Sequence, residues 1–197
     1  MKQSNASTAR ALKDLLYEQV SRVGKAVSSP KRLEIIELLC QGGKTVEELA
    51  QQADLSVKLT SAHLKALRDA RLVAFQKVGK FAHYRLAGDD VGGLWVRLRE
   101  VAEENLVELR VALDQMVAEP GKLLAVDRQE LLAQARRGDV VVIDVRPRAE
   151  YEQAHLPFAR SMPVEEIEKR LAELPKDKAI VAYCRGPFCL FSEEAFQ

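Results

Sequence analysis

The apolar pattern changes period part-way along the chain, and that change restricts it to folds with two separate cores. Up to Val117, leucines and valines recur mostly at helical spacing; beyond Ala118-Glu119-Pro120-Gly121, short β-branched runs alternate with helical stretches. Proline followed by glycine ends a helix and turns the chain. The expected organisation is a mainly α domain over residues 1–118 and a small α/β domain over residues 122–197, which a chain of 197 residues accommodates.

Ser29-Pro30 reads as an N-cap with proline at the first helical position, opening a helix through Leu39 that Gly42-Gly43 ends. Thr45-Val46-Glu47-Glu48 is a capping box for a short helix to about Ala53, and Ser56 caps another reaching about Ala70. Two short helices with a tight connection form a helix-turn-helix. The stretches 72–76 and 81–86 flank Lys77-Val78-Gly79-Lys80, a hairpin with a glycine-containing turn, placed where a wing belongs. A single long helix is expected from Asp89 to Val117, with Leu94, Leu98, Val101, Leu106, Leu109, Leu113 and Met116 on one stripe. Packing against the first helix of a second subunit, whose own stripe includes Leu12, Leu15, Leu16 and Val20, would cover it, which predicts a homodimer.

The charge is uneven. The net value is +1, yet residues 55–85 hold Lys58, Lys65, Arg68, Arg71, Lys77, Lys80 and Arg85 against one acid, Asp69. Such an island fits either a polyanion partner or a solvated face. No apolar stretch reaches membrane-spanning length, and Met1–Arg10 lacks the apolar core of a signal peptide, so no membrane partner and a cytoplasmic location are expected. Three cysteines, Cys40, Cys184 and Cys189, argue against a secreted disulfide scaffold.

The segment Ser61 to Val73 resembles the recognition-helix-to-wing region of ArsR-type repressors, and Ser29 to Leu39 resembles that family's second helix. The resemblance implies a winged helix-turn-helix bound to double-stranded operator DNA. Ser56, Lys58, Ser61, Ala62 and Lys65 lie near the helix start, where side chains reach bases and phosphates, and Lys77 and Lys80 at the wing tip suit phosphates. Leu55, Leu59, Leu64 and Leu67 are expected to seat that helix, with His63 packing at its base. The family commonly has glycine where Arg71 stands; a left-handed backbone there would cost arginine about 1 kcal/mol. Metal-sensing relatives carry a Cys-x-Cys pair before the recognition helix, or Asp and His ligands on the last helix. Residues 48–54 contain neither cysteine nor histidine, nor does the last helix, so no metal and no cofactor are expected. Cys40 lacks a thiol partner on the last helix and is expected to be a buried apolar residue.

In the second half, Val140 to Ile143 and Ala179 to Tyr183 read as strands buried on both faces of a parallel sheet, whose ligand sites lie at the strands' C-terminal ends. Asp144 to Ala159, with its spacing of Asp, Arg, Glu-Tyr, His and Ala, resembles the structural signature of rhodanese domains. Cys184-Arg185-Gly186-Pro187-Phe188-Cys189 resembles their active-site loop. This implies a Cys184 persulfide formed from a sulfane sulfur donor such as thiosulfate or polysulfide, with Asp144, Arg146 and His155 bracing the fold. Backbone N–H groups of Arg185, Gly186, Phe188 and Cys189 and the Arg185 cation would favour thiolate and attract an anionic donor. Leu190 stands where a phosphatase-type Cys-x5-Arg loop needs arginine. Cys189 is open to three roles: sulfur acceptor, disulfide partner or buried residue. Rhodanese domains continue beyond the point reached by Gln197, so an incomplete domain is expected. Three functions follow: a repressor tuned by sulfur chemistry, a sulfurtransferase using the winged helix to dimerise, or a Cys184/Cys189 thiol switch.

Overall fold

The computed structural model describes residues 2–79, 81–117, 127–186 and 188–189. The proposed linker at 118–121, the wing-tip Lys80 and Pro187 of the loop lie outside them. Two compact units divide between Glu100 and Val101.

In the first unit, α1 (Lys2–Val27) leads to α2 (Pro30–Cys40) through extended Ser29. Ser29 occupies the expected cap position, but its hydroxyl makes no capping bond. The carbonyls ending α1 are instead met by Arg32, whose guanidinium donates to Ala26 O and, at 2.8 Å, to Lys25 O. The short β1 (Lys44–Thr45) precedes α3 (Val46–Gln52), and the capping box forms as expected: Glu48 N–H donates to Thr45 Oγ1, and Thr45 N–H donates to the Glu48 carboxylate. That backbone donor, foremost, holds the Glu48 carboxyl below its usual range.

The tight connection to α4 (Val57–Asp69) is a Schellman turn. Asp54 is left-handed at φ 49°, and Leu55 N–H reaches back to Ala50 O at 2.9 Å. The same device ends α4. Arg71 is left-handed at φ 61°, its N–H donates to Arg68 O, and Leu72 N–H donates to Leu67 O. The strain expected for arginine in the family's glycine position is therefore present.

β2 (Val73–Val78) and β3 (Phe81–Leu86) form the hairpin, paired from Val73 opposite Leu86 to Val78 opposite Phe81. β3 also pairs antiparallel with β1, so the sheet order is β1-β3-β2. Ile35, Ile36, Leu49, Leu64 and Leu67 are fully buried in this unit.

The long final helix is two helices, α5 (Asp89–Asn105), through which the division between the units runs, and α6 (Val107–Val117), which falls in the second. Asn105 Nδ2 donates to Val101 O at 2.7 Å, competing for the carbonyl that its own backbone N–H would use, and the helix breaks at the next residue. Cys40 also departs from expectation. The residue is exposed at the end of α2, while its sulfur faces Gly92 of α5; partial desolvation, and then Glu37, raise its pKa.

In the second unit, α7 (Arg128–Arg137) is capped by Asp127 and ended by left-handed Gly138. β4 (Val140–Asp144), α8 (Arg148–Gln153), β5 (Arg160–Ser161), α9 (Val164–Arg170) and β6 (Ala179–Tyr183) follow. The sheet is parallel, in the order β5-β4-β6, with Asp144 opposite Tyr183. β4 is buried almost throughout, as its continuous apolar run predicts. β6 is not: Ala179 and Ile180 are exposed, because among the described residues only β4 pairs with it.

Candidate functional site

Residues of two kinds were expected to act: those along α4 and the wing, and those around Cys184. On α4 the buried face is Thr60, Leu64 and Leu67. Leu59 was expected there and is instead 46% exposed. Thr60, four residues before Leu64, lies nearer that face than Leu59, five before it; its hydroxyl is satisfied by Ser56 O at 3.0 Å. His63 is half-buried, and desolvation, then the Arg32 charge, lower its pKa.

The opposite face carries Ser56, Lys58, Ser61, Ala62 and Lys65, all exposed, and Lys77 of the wing is exposed as well. Their roles differ. Ser56 Oγ accepts from Leu59 N–H at 3.2 Å, so it caps the helix. Lys65 Nζ lies 2.8 Å from Asp69 Oδ2, an exposed pair that half-neutralises the helix's outward charge. Asp69 is further engaged through its carbonyl by Arg22 of α1 at 3.2 Å. Arg68, counted in the sequence only as one of the basic island's cations, stacks its guanidinium 5.4 Å from the Phe75 ring centre and ties α4 to the wing.

Around Cys184 the charges are turned inward. Asp144 is fully buried at the end of β4. It accepts from Arg146 Nε (2.9 Å) and from a terminal guanidinium nitrogen of Arg146 (2.6 Å), and from Tyr183 Oη at 2.7 Å. Arg146 also donates to Ala154 O at 2.7 Å. Tyr183 Oη in turn accepts from Leu156 N–H at 3.0 Å. Burial, above all, pushes the Tyr183 phenol up to about 12. The bracing roles implied for Asp144 and Arg146 are thus visible bond by bond. His155 is exposed, stacked on Tyr151 with ring centres 3.8 Å apart and its Nδ1 2.8 Å from Tyr151 O.

Cys184 follows Tyr183 directly, half-buried, packed against the buried cluster of Val141, Ile143, Val145 and Met162. On its other side, Arg185 forms a two-point ion pair with Glu150, at 3.0 and 2.7 Å, with side chains 9% and 3% exposed. A cation so matched braces the loop, which differs from the anion-attracting role expected of it. Both neighbours of the thiol are thereby pinned to the 144–159 segment. Glu150, named in the sequence only as part of the motif's spacing, and Tyr183, read only as a strand residue, carry pairings that the sequence did not assign. The expected cradle of N–H groups also meets a competing arrangement: Cys189 N–H donates to Gly186 O at 3.1 Å, and the carbonyls of Gly186 and Cys189 lie 3.8 and 3.9 Å from Cys184 Sγ. Gly186 is at φ 150°, open to glycine and strained for other residues. Phe188 is half-buried and Cys189 buried.

Among the described residues no cluster of three or more His, Cys, Asp or Glu is placed to hold a metal ion, and no helix is long and apolar enough to cross a membrane.

The family model for bacterial regulatory proteins of the arsR family matches residues 29–74, and that for the rhodanese-like domain matches residues 127–196. The HTH-type transcriptional regulator Rv0324 of Mycobacterium tuberculosis is 40% identical over 183 residues, which cover 93% of this chain and 80% of that protein. The chain belongs to the arsR family. It is a transcriptional regulator carrying a rhodanese-like domain. A sulfurtransferase of Allochromatium vinosum is 43% identical over 48 residues, 24% of the regulator and 45% of that enzyme. Among solved structures, the homodimeric winged helix-turn-helix DNA-binding domain of Mb0332 from Mycobacterium bovis, described as a possible ArsR-family transcriptional regulator, is 40% identical. It aligns with a TM-score of 0.47 over 49% of this chain and 89% of its own.

Proposed function

We propose that the regulator is a homodimeric repressor whose hold on operator DNA is tuned by sulfane sulfur at Cys184. In this reading residues 1–118 bind DNA and dimerise, and residues 122–197 handle sulfur. The observation that carries it is the position of Cys184 at the C-terminal end of a parallel strand, between two residues whose side chains are anchored. Support for dimerisation comes from α1, where Leu12, Leu15, Leu16, Tyr17 and Val20 are all at least half exposed, and from α5, where Leu94, Leu98 and Val101 face water. Apolar stripes of that extent favour a covering partner. The DNA-facing set is Ser56, Lys58, Ser61, Ala62 and Lys65, with Lys77 and Lys80 of the wing.

In the chemical step the Cys184 thiolate attacks the outer sulfur of thiosulfate, the donor's S–S bond breaks and sulfite leaves, so that a persulfide remains on the protein. A gel shift on an inverted-repeat promoter fragment, with and without sulfane sulfur, tests the reading. Operator affinity is expected to change in the wild type and not in Cys184→Ser; unchanged affinity in a fully persulfidated wild type overturns the sensing role. The likeness to a sulfurtransferase favours a second reading, catalytic turnover. Thiosulfate-to-cyanide transfer lost in Cys184→Ser, together with no DNA binding, would select it.

A further inference from the structure

We propose that Cys189 is the resolving thiol for a Cys184 persulfide, so that the loop converts one sulfane sulfur into sulfide and closes as a disulfide. The inference rests on sulfur loading at Cys184 and goes beyond it by giving the sulfur its fate. The two cysteines belong to one short turn. Cys189 N–H closes onto Gly186 O at 3.1 Å, and Cys184 Sγ lies 3.9 Å from the carbonyl oxygen of Cys189. That oxygen is two covalent bonds from the Cys189 Cα, so the Cys184 sulfur stands beside the Cys189 backbone, and bridging requires the turn to bring the two Cα atoms within about 7 Å.

Exposure separates the two roles. Cys184 is half-buried, whereas Cys189 is 8% exposed and so better shielded from thiols and oxidants in solution. A reachable first thiol beside a protected second one is the arrangement that resolves sulfur adducts within a chain. The Arg185–Glu150 pair and the Tyr183–Asp144 bond hold both neighbours of Cys184, so the first sulfur is kept beside the Cys189 backbone.

The balance is closed. After the persulfide forms, the Cys189 thiolate attacks Cys184 Sγ, the bond from Sγ to the outer sulfur breaks, and hydrosulfide leaves. Two thiols are oxidised to one disulfide, and the sulfane sulfur supplies the oxidising equivalent, being reduced to sulfide; no further oxidant enters.

The test is intact-protein mass spectrometry with peptide mapping on the full chain after brief exposure to inorganic tetrasulfide, removal of excess and alkylation. Wild type is expected to lose two hydrogens through a Cys184–Cys189 bridge that a reductant reverses. Cys189→Ser and Cys189→Ala are expected to gain one sulfur atom at Cys184 and keep it, and Cys184→Ser to form no bridge and carry no added sulfur at Cys189. A persulfide that persists on Cys184 in wild type as it does in the Cys189 variants overturns the resolving role and leaves sulfur loading intact. Absence of added sulfur on both Cys189 variants, each folded by circular dichroism, overturns the loading itself. Sulfur added first to Cys189 in Cys184→Ser overturns the assigned order.

Discussion

Along α4 the cations stand in water, whereas around Cys184 they are buried against carboxylates. Lys58 and Lys77 are exposed, and the Lys65–Asp69 pair sits at the surface, where an ion pair contributes little to stability. Arg146 and Arg185 are nearly closed off, each matched in two-point geometry to a buried acid. The first arrangement leaves charge available to a polyanion. The second removes charge from solvent to fix the backbone on either side of a thiol. Salt should therefore govern one surface, and loss of a partner should govern the other.

The largest expected effect comes from Glu150→Gln, which takes the paired carboxylate away from the buried Arg185 guanidinium. Breaking such a buried pair costs about 3–5 kcal/mol. Hydrogen exchange of the Val141–Ile143 amides should accelerate accordingly, while fluorescence of Trp95, the chain's single tryptophan and buried in the other unit, keeps its urea midpoint. Equal loss at both reporters would erase the contrast.

Tyr183→Phe leaves Leu156 N–H and Asp144 Oδ2 each short of a partner and should cost about 1–3 kcal/mol. The phenol also gives a pH signature. Because its folded value lies above the ordinary 10, at about 12, the folded state holds the proton more firmly. Its contribution is complete below the ordinary value and is lost as pH rises through the window between the two. Alkaline melting of β4 and β6 should show that limb in wild type and lack it in the variant.

Arg71→Gly should raise stability by about 1 kcal/mol by relieving a left-handed arginine, read as a higher urea midpoint for Trp95. Phe158→Gly, at φ 68°, should do the same for the second unit. The smallest effect is expected of Glu48→Gln. Its lowered carboxyl contributes stability above the ordinary value of 4.5 that is lost as pH falls through the folded one. The variant should flatten that acid limb, at less than about 1 kcal/mol because the cap is partly exposed.

Much of the first unit was legible because its signals are local. The Thr45–Glu48 box, the Ser56 cap and the hairpin around Gly79 depend on residues within a few positions of one another. Two of the departures had local causes that spacing alone missed: Leu59 lies just off the buried face of α4, and, past the division between the units, the Asn105 side chain competes with its own helix. Around Cys184 the motif was legible but the roles of its members were not. Arg185 reads as a free cation until Glu150, 35 positions earlier in the chain, is brought against it, and Tyr183 reads as a strand residue until its hydroxyl meets Asp144. Long-range pairing of charges leaves no periodic trace.

The central claim is that α4 and the wing hold DNA through exposed cations. Its most direct measurement is operator affinity of the full chain against salt concentration, for wild type and Lys58→Ala. A steep fall with salt is expected in wild type, with the slope of log affinity against log salt reduced by about one in the variant. An affinity indifferent to salt, or a slope that Lys58→Ala leaves unchanged, would contradict the account.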